Sequence, residues 1–107
     1  MKIEIDDHRK LFAVKDEFNT AFPNFKIEFF DRPSKSDGTP SGKIMKHVSS
    51  TLGQCRLAHN KGTISIDVGM TMGELEQNFR DGYEVSEQIF HKKGNNWLEA
   101  GSNVSLN

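Results

Sequence analysis

The sequence predicts an α+β fold, a two-layer sandwich in which two main helices pack on a mostly antiparallel sheet of about five strands. Short segments in which apolar and polar residues alternate recur along the chain, and this pattern is typical of half-buried strands. Two longer segments place apolar residues at helical spacing instead. A chain of 107 residues with a hydrophobic fraction of 35% has material for one core, so residues 1–107 are expected to form a single domain.

The first part of the chain predicts a strand, a helix and a second strand. Residues 2–6, "KIEID", alternate and are expected to form a strand. Apolar residues at helical spacing over residues 11–22 predict a helix, with Asp6 or Asp7 as its N-terminal cap. Residues 25–30, "FKIEFF", alternate again and predict the second strand.

The middle of the chain is predicted to be less regular. Residues 31–47 hold two of the three prolines and several glycines and serines, so a long, mobile polar loop is expected there. Residues 49–56, "SSTLGQCR", are compatible with a short helix capped by a hydroxyl side chain. Residues 61–68, "KGTISIDV", predict the third strand.

The last part of the chain predicts a helix followed by a β-hairpin. Thr71 and Glu74 form the sequence signature of a capping box at the start of the helix. Residues 84–92 and 96–100 read as two strands joined by a tight Gly/Asn turn. Residues 101–107 are expected to fray. The predicted order is therefore β-α-β-loop-(short α)-β-α-β-β.

Composition excludes several classes of protein. The formal net charge of −1 argues against a chain that binds nucleic acid with its whole surface. No segment approaches the ~18 apolar residues of a membrane span, and the charged N-terminus lacks the apolar region of a secretory signal. A single cysteine, Cys55, excludes an intramolecular disulfide framework. We therefore expect a cytoplasmic protein without a membrane partner.

The segment "MTMGELEQNFRDGYEVSEQIFHKKGNNWLEA", residues 70–100, resembles a family of small, uncharacterised bacterial proteins. The family pattern reads roughly M-T-x-x-E-L-E-x-x-F, then Q-x-F-x-K-x-G-N-x-W-L-E, and covers about a third of the chain. His91 stands where the family has Arg, and Ala100 where it has Thr. The resemblance implies an α+β fold and brings no catalytic residues. The residues that carry it are Met70, Thr71, Glu74, Leu75, Glu76, Phe79, Gln88, Phe90, Lys92, Gly94, Asn95, Trp97, Leu98 and Glu99.

Motifs for catalysis or metal binding are weak. Cys55 and His59 would share a face on a helix, but a structural zinc site normally needs four ligands and no second pair is evident. Cys55 with His47, His59 or His91 leaves a nucleophilic pair open, although no motif places a nucleophile on a strained turn. The sequence therefore favours a non-enzymatic protein without a cofactor.

Charge is segregated along the chain. Residues 32–61 carry six basic side chains against one acidic, and residues 62–91 carry six acidic side chains against one basic. Such asymmetry can mark a binding face or can cancel across the fold, and cancellation is favoured, with the basic segment lying over the acidic helix.

The hairpin carries the only tryptophan beside two lysines at the turn. Trp97 is interpreted mainly as a cross-strand packing residue, with Lys92 and Lys93 as solubilising residues. The alternative makes the three residues a contact patch for a partner. Whether Ile89 or Phe90 faces the core is not determined, because the two apolar residues are adjacent.

The sequence favours a protein-interaction or regulatory module with a protein partner. Its predicted contact residues lie at the hairpin and in the basic segment: Lys92, Lys93, Trp97, Arg32, Lys35, Lys43 and Lys46. The alternative is a weak nucleic-acid-binding protein that uses residues 32–61. A small hydrolase or ligand-binding protein is the third hypothesis.

Overall fold

The α+β class is confirmed by the structure, a computed structural model that describes residues 1–32, 35–36 and 41–106. Its elements are β1 (Lys2–Ile5), α1 (Leu11–Ala21), β2 (Phe25–Arg32), β3 (Ser41–Ile44), a short 3-10 helix (Leu52–Cys55), β4 (Gly62–Ser65), α2 (Met72–Tyr83), β5 (Glu87–Lys93) and β6 (Asn96–Glu99). The two main helices and the hairpin occupy the predicted parts of the chain.

The described strands form two antiparallel sheets. β1 pairs with β4, and the second sheet has the order β3-β2-β5-β6. The described part of the chain thus holds six strands, where about five in one sheet were predicted. β5 and β6 meet at a two-residue turn, and Gly94 adopts a φ of 62°, which glycine tolerates without steric cost.

The additional strand, β3, lies within the predicted polar loop. β2 continues to Arg32 and pairs with β3, and the side chain of Asp31 accepts a hydrogen bond from the Lys43 N–H at 2.9 Å. The prediction of a loop over residues 31–47 is therefore wrong for residues 31–32 and 41–44, which are strand. Its "SGKI" sequence has no apolar alternation, so only pairing with β2 makes it a strand. Residues 33–34 and 37–40 lie outside the described residues.

One hydrophobic core joins both helices to the sheets. α1 contributes its predicted apolar stripe, and Ile27 of β2 lies opposite Ile89 of β5 inside the core. Side chains alternate along a strand, so Phe90 faces the other side of the sheet. The fully buried large side chains are Phe18, Phe29, Phe79, Ile3, Ile5, Ile27, Leu52, Ile66, Met72, Leu75, Ile89 and Val14.

The two predicted helix caps have different outcomes. The side chain of Thr71 accepts a hydrogen bond from the Glu74 N–H at 3.2 Å, as the capping signature predicts. The prediction that Asp6 or Asp7 caps α1 is wrong, because its N-cap is Lys10 and no side chain caps it. The acidic side chains bind elsewhere in the fold, as described below.

The C-terminal segment packs against the start of α2. The Met72 N–H donates to the carbonyl of Val104 at 2.8 Å, and the Leu106 N–H donates to the carbonyl of Met70 at 3.2 Å. Leu106 is buried in the core. These contacts oppose fraying of residues 101–106, and the expectation of a frayed tail stays a prediction.

Candidate functional site

The four-stranded sheet has a second face that lies away from Ile27 and Ile89. Lys26 pairs with Phe90, and Lys92 pairs with Trp97. Directly opposed residues of antiparallel strands project to the same face, so these four side chains share it. We call it the groove face.

An open groove lies between this face and α1. One part encloses about 610 Å³ and is lined by Phe12, Lys15, Asp16, Asn19, Lys26, Glu28 and Trp97. A second part, of about 370 Å³, shares four of these residues and adds Ile44, Lys46 and Phe90. The shared lining residues make the two parts continuous, and we call them together the α1–sheet groove.

Two aromatic rings and one ammonium group form the centre of the groove. The Lys26 Nζ lies 5.1 Å from the centroid of the Trp97 ring and 5.5 Å from the centroid of the Phe90 ring. Both distances are within the ~6 Å range of cation–π attraction. Both rings are half-buried, so the site presents aromatic surface without removing it from solvent completely.

Polar contacts fix α1 beside β2. The Lys15 Nζ lies 2.9 Å from the Glu28 carboxylate, and the Asn19 side chain donates to the carbonyl of Phe25 at 2.8 Å. Phe12, one turn before Lys15, is 58% exposed at the rim. The polar side chains of the groove wall therefore already have hydrogen-bond partners, whereas the apolar side chain of Phe12 at the rim is exposed to solvent.

Two of the surfaces predicted as separate meet in this groove. Trp97 of the hairpin and Lys46 of the basic segment line the same part of it, and Lys92 lies on the same face. Lys93 pairs with Asn96 instead and projects to the opposite face. Trp97 is half-buried and packs against the Lys26 side chain. It thus has the contacts of a packing residue and also the exposed ring surface that a contact residue for a partner needs.

The sequence reasoning missed Phe12, Lys15, Lys26, Glu28 and Phe90 as site residues. Phe12 was detectable, because it falls outside the apolar stripe of α1 and so had no core position. The others look like ordinary alternating residues, and only strand pairing and helix placement bring them together.

The remaining predicted contact residues lie apart from the groove. Arg32 lines a small cavity of about 60 Å³ together with Cys55 and Arg56. Lys35 and Lys43 are exposed and belong to the lining of none of the described cavities. None of the described cavities therefore brings Arg32, Lys35 and Lys43 together with the groove residues.

A buried arginine explains where part of the positive charge goes. The Arg56 side chain is fully buried, with its Nε 2.9 Å and its Nη2 2.8 Å from the Asp7 carboxylate. His59 binds the other oxygen of Asp7 at 2.7 Å. The hydrogen bonds from Arg56 and His59 hold the pKa of Asp7 below its usual value, against the opposing effect of desolvation.

Charge cancellation occurs with different partners from those expected. Arg56 pairs with Asp7, and Lys61 pairs with Asp6 at 3.4 Å. Among the described residues, no ion pair joins residues 32–61 to the acidic segment 62–91. The N-terminal segment, rather than α2, therefore neutralises these basic side chains.

Cys55 does not resemble an activated nucleophile. Burial raises the pKa of its thiol to about 12, and the thiol donates to the carbonyl of Leu52 at 3.3 Å. A thiol is nucleophilic as the thiolate, so this environment suppresses reactivity at neutral pH. Cys55 ends the short 3-10 helix, so no helix places Cys55 and His59 on a shared face.

Two acidic side chains meet where α2 packs on β5. Glu87 is buried, and its Oε2 has no hydrogen-bond partner among the described residues. Desolvation, together with the nearby Glu76, raises the pKa of Glu87 well above its ordinary value. Desolvation likewise raises the pKa of Glu76 to about 7. Both carboxyl groups are therefore poised to hold protons that exposed glutamates would lose.

The described residues contain neither a metal-binding cluster nor a membrane-spanning helix. Within them, no group of three or more His, Cys, Asp or Glu side chains could hold a metal ion. No helix in the described ranges is long and apolar enough to cross a membrane.

The chain matches no protein-family model, and searches of curated proteins and of solved structures return no significant match. The resemblance of residues 70–100 to a family of small bacterial proteins therefore stays a prediction.

Proposed function

We propose that the chain is a non-enzymatic, cytoplasmic protein-interaction module that acts without a cofactor and binds a protein partner in the α1–sheet groove. One observation carries this proposal. The groove combines the half-buried ring of Trp97 with Phe12, whose side chain is 58% exposed, above a framework of hydrogen-bonded polar residues. Aromatic residues at the centre of a surface groove are the usual anchors of protein–protein binding.

Charge indicates the kind of segment that fits. Lys15 is already paired with Glu28, whereas Lys26 and Lys46 line the groove and Lys92 shares its face. A partner segment with an apolar side chain beside acidic residues would cover the rings and meet these ammonium groups. Electrostatic complementarity of this kind contributes mainly to specificity and association rate.

The test is a nuclease-treated pull-down at high salt with four forms of the protein. We expect Trp97→Ala and Phe12→Ala each to reduce recovery of the partner captured by the wild type by about tenfold or more, as loss of a hot-spot side chain does. Leu57→Ala is the matched control, because Leu57 is 66% exposed and lies outside the groove. Unchanged recovery with both groove variants would contradict the proposal.

The second candidate function is weak binding of single-stranded nucleic acid. Lys26 between Phe90 and Trp97 favours it, since stacking platforms combine aromatic rings with cations. The pairing of Arg56 with Asp7 and the separate position of Arg32 count against the whole basic segment acting together. Anisotropy of a labelled oligonucleotide at low salt tests it, because such binding should weaken steeply as salt rises. Absence of binding even at low salt would dismiss it.

A further inference from the structure

The outer edge of β6 has a defined hydrogen-bonding pattern. The Ala100 N–H donates to the carbonyl of Ile89 in β5 at 2.9 Å, so Ala100 faces β5. The direction of backbone hydrogen bonding alternates along a strand. The backbone N–H and C=O groups of Leu98 therefore also point toward β5, whereas those of Trp97 and Glu99 point away from it, at the open edge of the sheet. In the described sheet, β6 is an edge strand whose neighbour is β5.

β6 is short and carries one charged side chain, Glu99, but other devices that protect an edge strand are absent from its four residues. Its sequence, "NWLE", contains no proline or lysine, and its pairing with β5 is regular over all four residues. Leu98 is 51% exposed. It ends a cross-strand row in which Phe25 stacks on His91 at a centroid distance of 4.9 Å and His91 pairs with Leu98.

We propose that β6 pairs antiparallel with β6 of a second copy of this chain, around a two-fold axis at Leu98. In this register Trp97 of one copy lies opposite Glu99 of the other. The two-fold axis repeats the pair, so Glu99 of the first copy lies opposite Trp97 of the second. Each is a hydrogen-bonded pair, so the strands exchange four backbone bonds. Centring the axis on Trp97 or Glu99 would leave only two such bonds between β6 residues.

Side chains support the same register. Leu98 meets its own copy and extends the row from Phe25 and His91 across the axis. On the groove face, Glu99 of the partner comes beside Trp97, above which the Lys26 ammonium already lies at 5.1 Å. A register centred on Glu99 would instead oppose two carboxylates.

The expected dimer is weak. Four residues per strand bury less surface than the ~1,200 Å² of a standard stable interface, so association should depend strongly on concentration. The resulting sheet is continuous, and the α1–sheet grooves of both copies share one face. The dimer would therefore present two grooves to a partner, which goes beyond the single site proposed above.

Cross-linking tests the register directly. In a Cys55→Ser background, Leu98→Cys places two thiols in a non-hydrogen-bonded pair with Cα atoms ~4.5 Å apart, within the range of a disulfide. Asn96→Cys is the matched control, because it lies in the same strand and its partner would be Ala100. We expect a disulfide-linked dimer for Leu98→Cys and none for Asn96→Cys. Equal cross-linking of both, or of neither, would overturn the proposal.

Sedimentation of the unmodified chain tests dimer formation itself. We expect its average mass to rise with concentration and Glu99→Pro to stay monomeric, because proline removes an outward N–H and spares the bonds to β5. Leu57→Pro, outside the described strands, controls for proline, and tryptophan fluorescence checks that each variant is folded. A wild type that stays monomeric at the highest concentration, or a folded Glu99→Pro that dimerises equally, would refute it. Either result is independent of partner capture by the groove.

Discussion

The Lys26 ammonium lies 5.1 Å from the centroid of the Trp97 ring, although the two residues belong to β2 and β6, which are separated by β5. The lysine side chain therefore reaches across the groove face and covers part of the only tryptophan. Because no other tryptophan contributes, the fluorescence of the protein reports on this contact.

Replacing Lys26 by methionine should test the contact. Lys26→Met keeps a side chain of similar length and removes the charge. We therefore expect the free energy of unfolding to fall by about 0.5–1 kcal/mol and the fluorescence emission of Trp97 to shift. Lys93→Met is the control, because Lys93 is exposed and projects to the opposite face. Denaturant unfolding followed by fluorescence measures both quantities. Identical behaviour of the two variants would show that the contact contributes nothing.

The Asp7–Arg56 pair should be asymmetric in its response to mutation. Asp7→Ala leaves a fully buried guanidinium without its carboxylate and should therefore destabilise the fold strongly. Arg56→Met removes that buried charge and leaves Asp7 partly exposed, so its cost should be smaller. Urea unfolding measures both.

His59→Ala provides the control for that pair. His59 binds the same carboxylate, but its side chain is 64% exposed, so we expect a loss below about 1 kcal/mol. A loss for His59→Ala as large as that for Asp7→Ala would mean that the buried pair is not the source of stability.

The two acidic residues Glu76 and Glu87 predict a pH dependence of stability. The raised pKa values of Glu76 and Glu87 mean that the folded state holds protons that the unfolded state has released. Their contribution is complete below the ordinary value of 4.5 and is lost as pH rises, for Glu76 through about 7. Stability should therefore decline over this window. For Glu76 the decline should be less than the ~1.4 kcal/mol per pKa unit of a fully buried group, because solvent screens this carboxyl group.

Glu87→Gln should flatten that decline, because the amide cannot ionise. Urea titrations at a series of pH values compare it with the wild type. Asp7 does not interfere in this window, since its lowered pKa places its own loss of stability at more acidic pH. An equally steep decline in Glu87→Gln would assign the effect to other groups.

Cys55 should react slowly in the native state. Its thiol is buried, with a pKa of about 12, so a thiol reagent at mildly alkaline pH should label it only through opening of the fold. We expect labelling to accelerate in step with the unfolded fraction as urea is added. Rapid stoichiometric labelling without denaturant would contradict the described environment and would revive Cys55 as a candidate nucleophile.

The sequence by itself determined the α+β class, both main helices and the hairpin, because each depends on periodicity and capping within a short segment. It also marked Trp97 and Lys46, although as parts of two surfaces. The sequence failed at β3, whose polar residues carry no strand pattern and pair only because β2 is beside them. It failed likewise for Asp7, which binds Arg56 rather than capping α1.

Only the tertiary structure decided which side chains meet. The pairing of β2 with β5 directed Ile89 into the core and Phe90 outward, a choice that two adjacent apolar residues cannot encode alone. The same pairing brought Lys26 to Trp97, and the position of α1 added Phe12 and Lys15 to form the groove. The physical reason is that strand register and helix placement minimise the exposed apolar surface of the whole chain, whereas local patterns report one segment at a time.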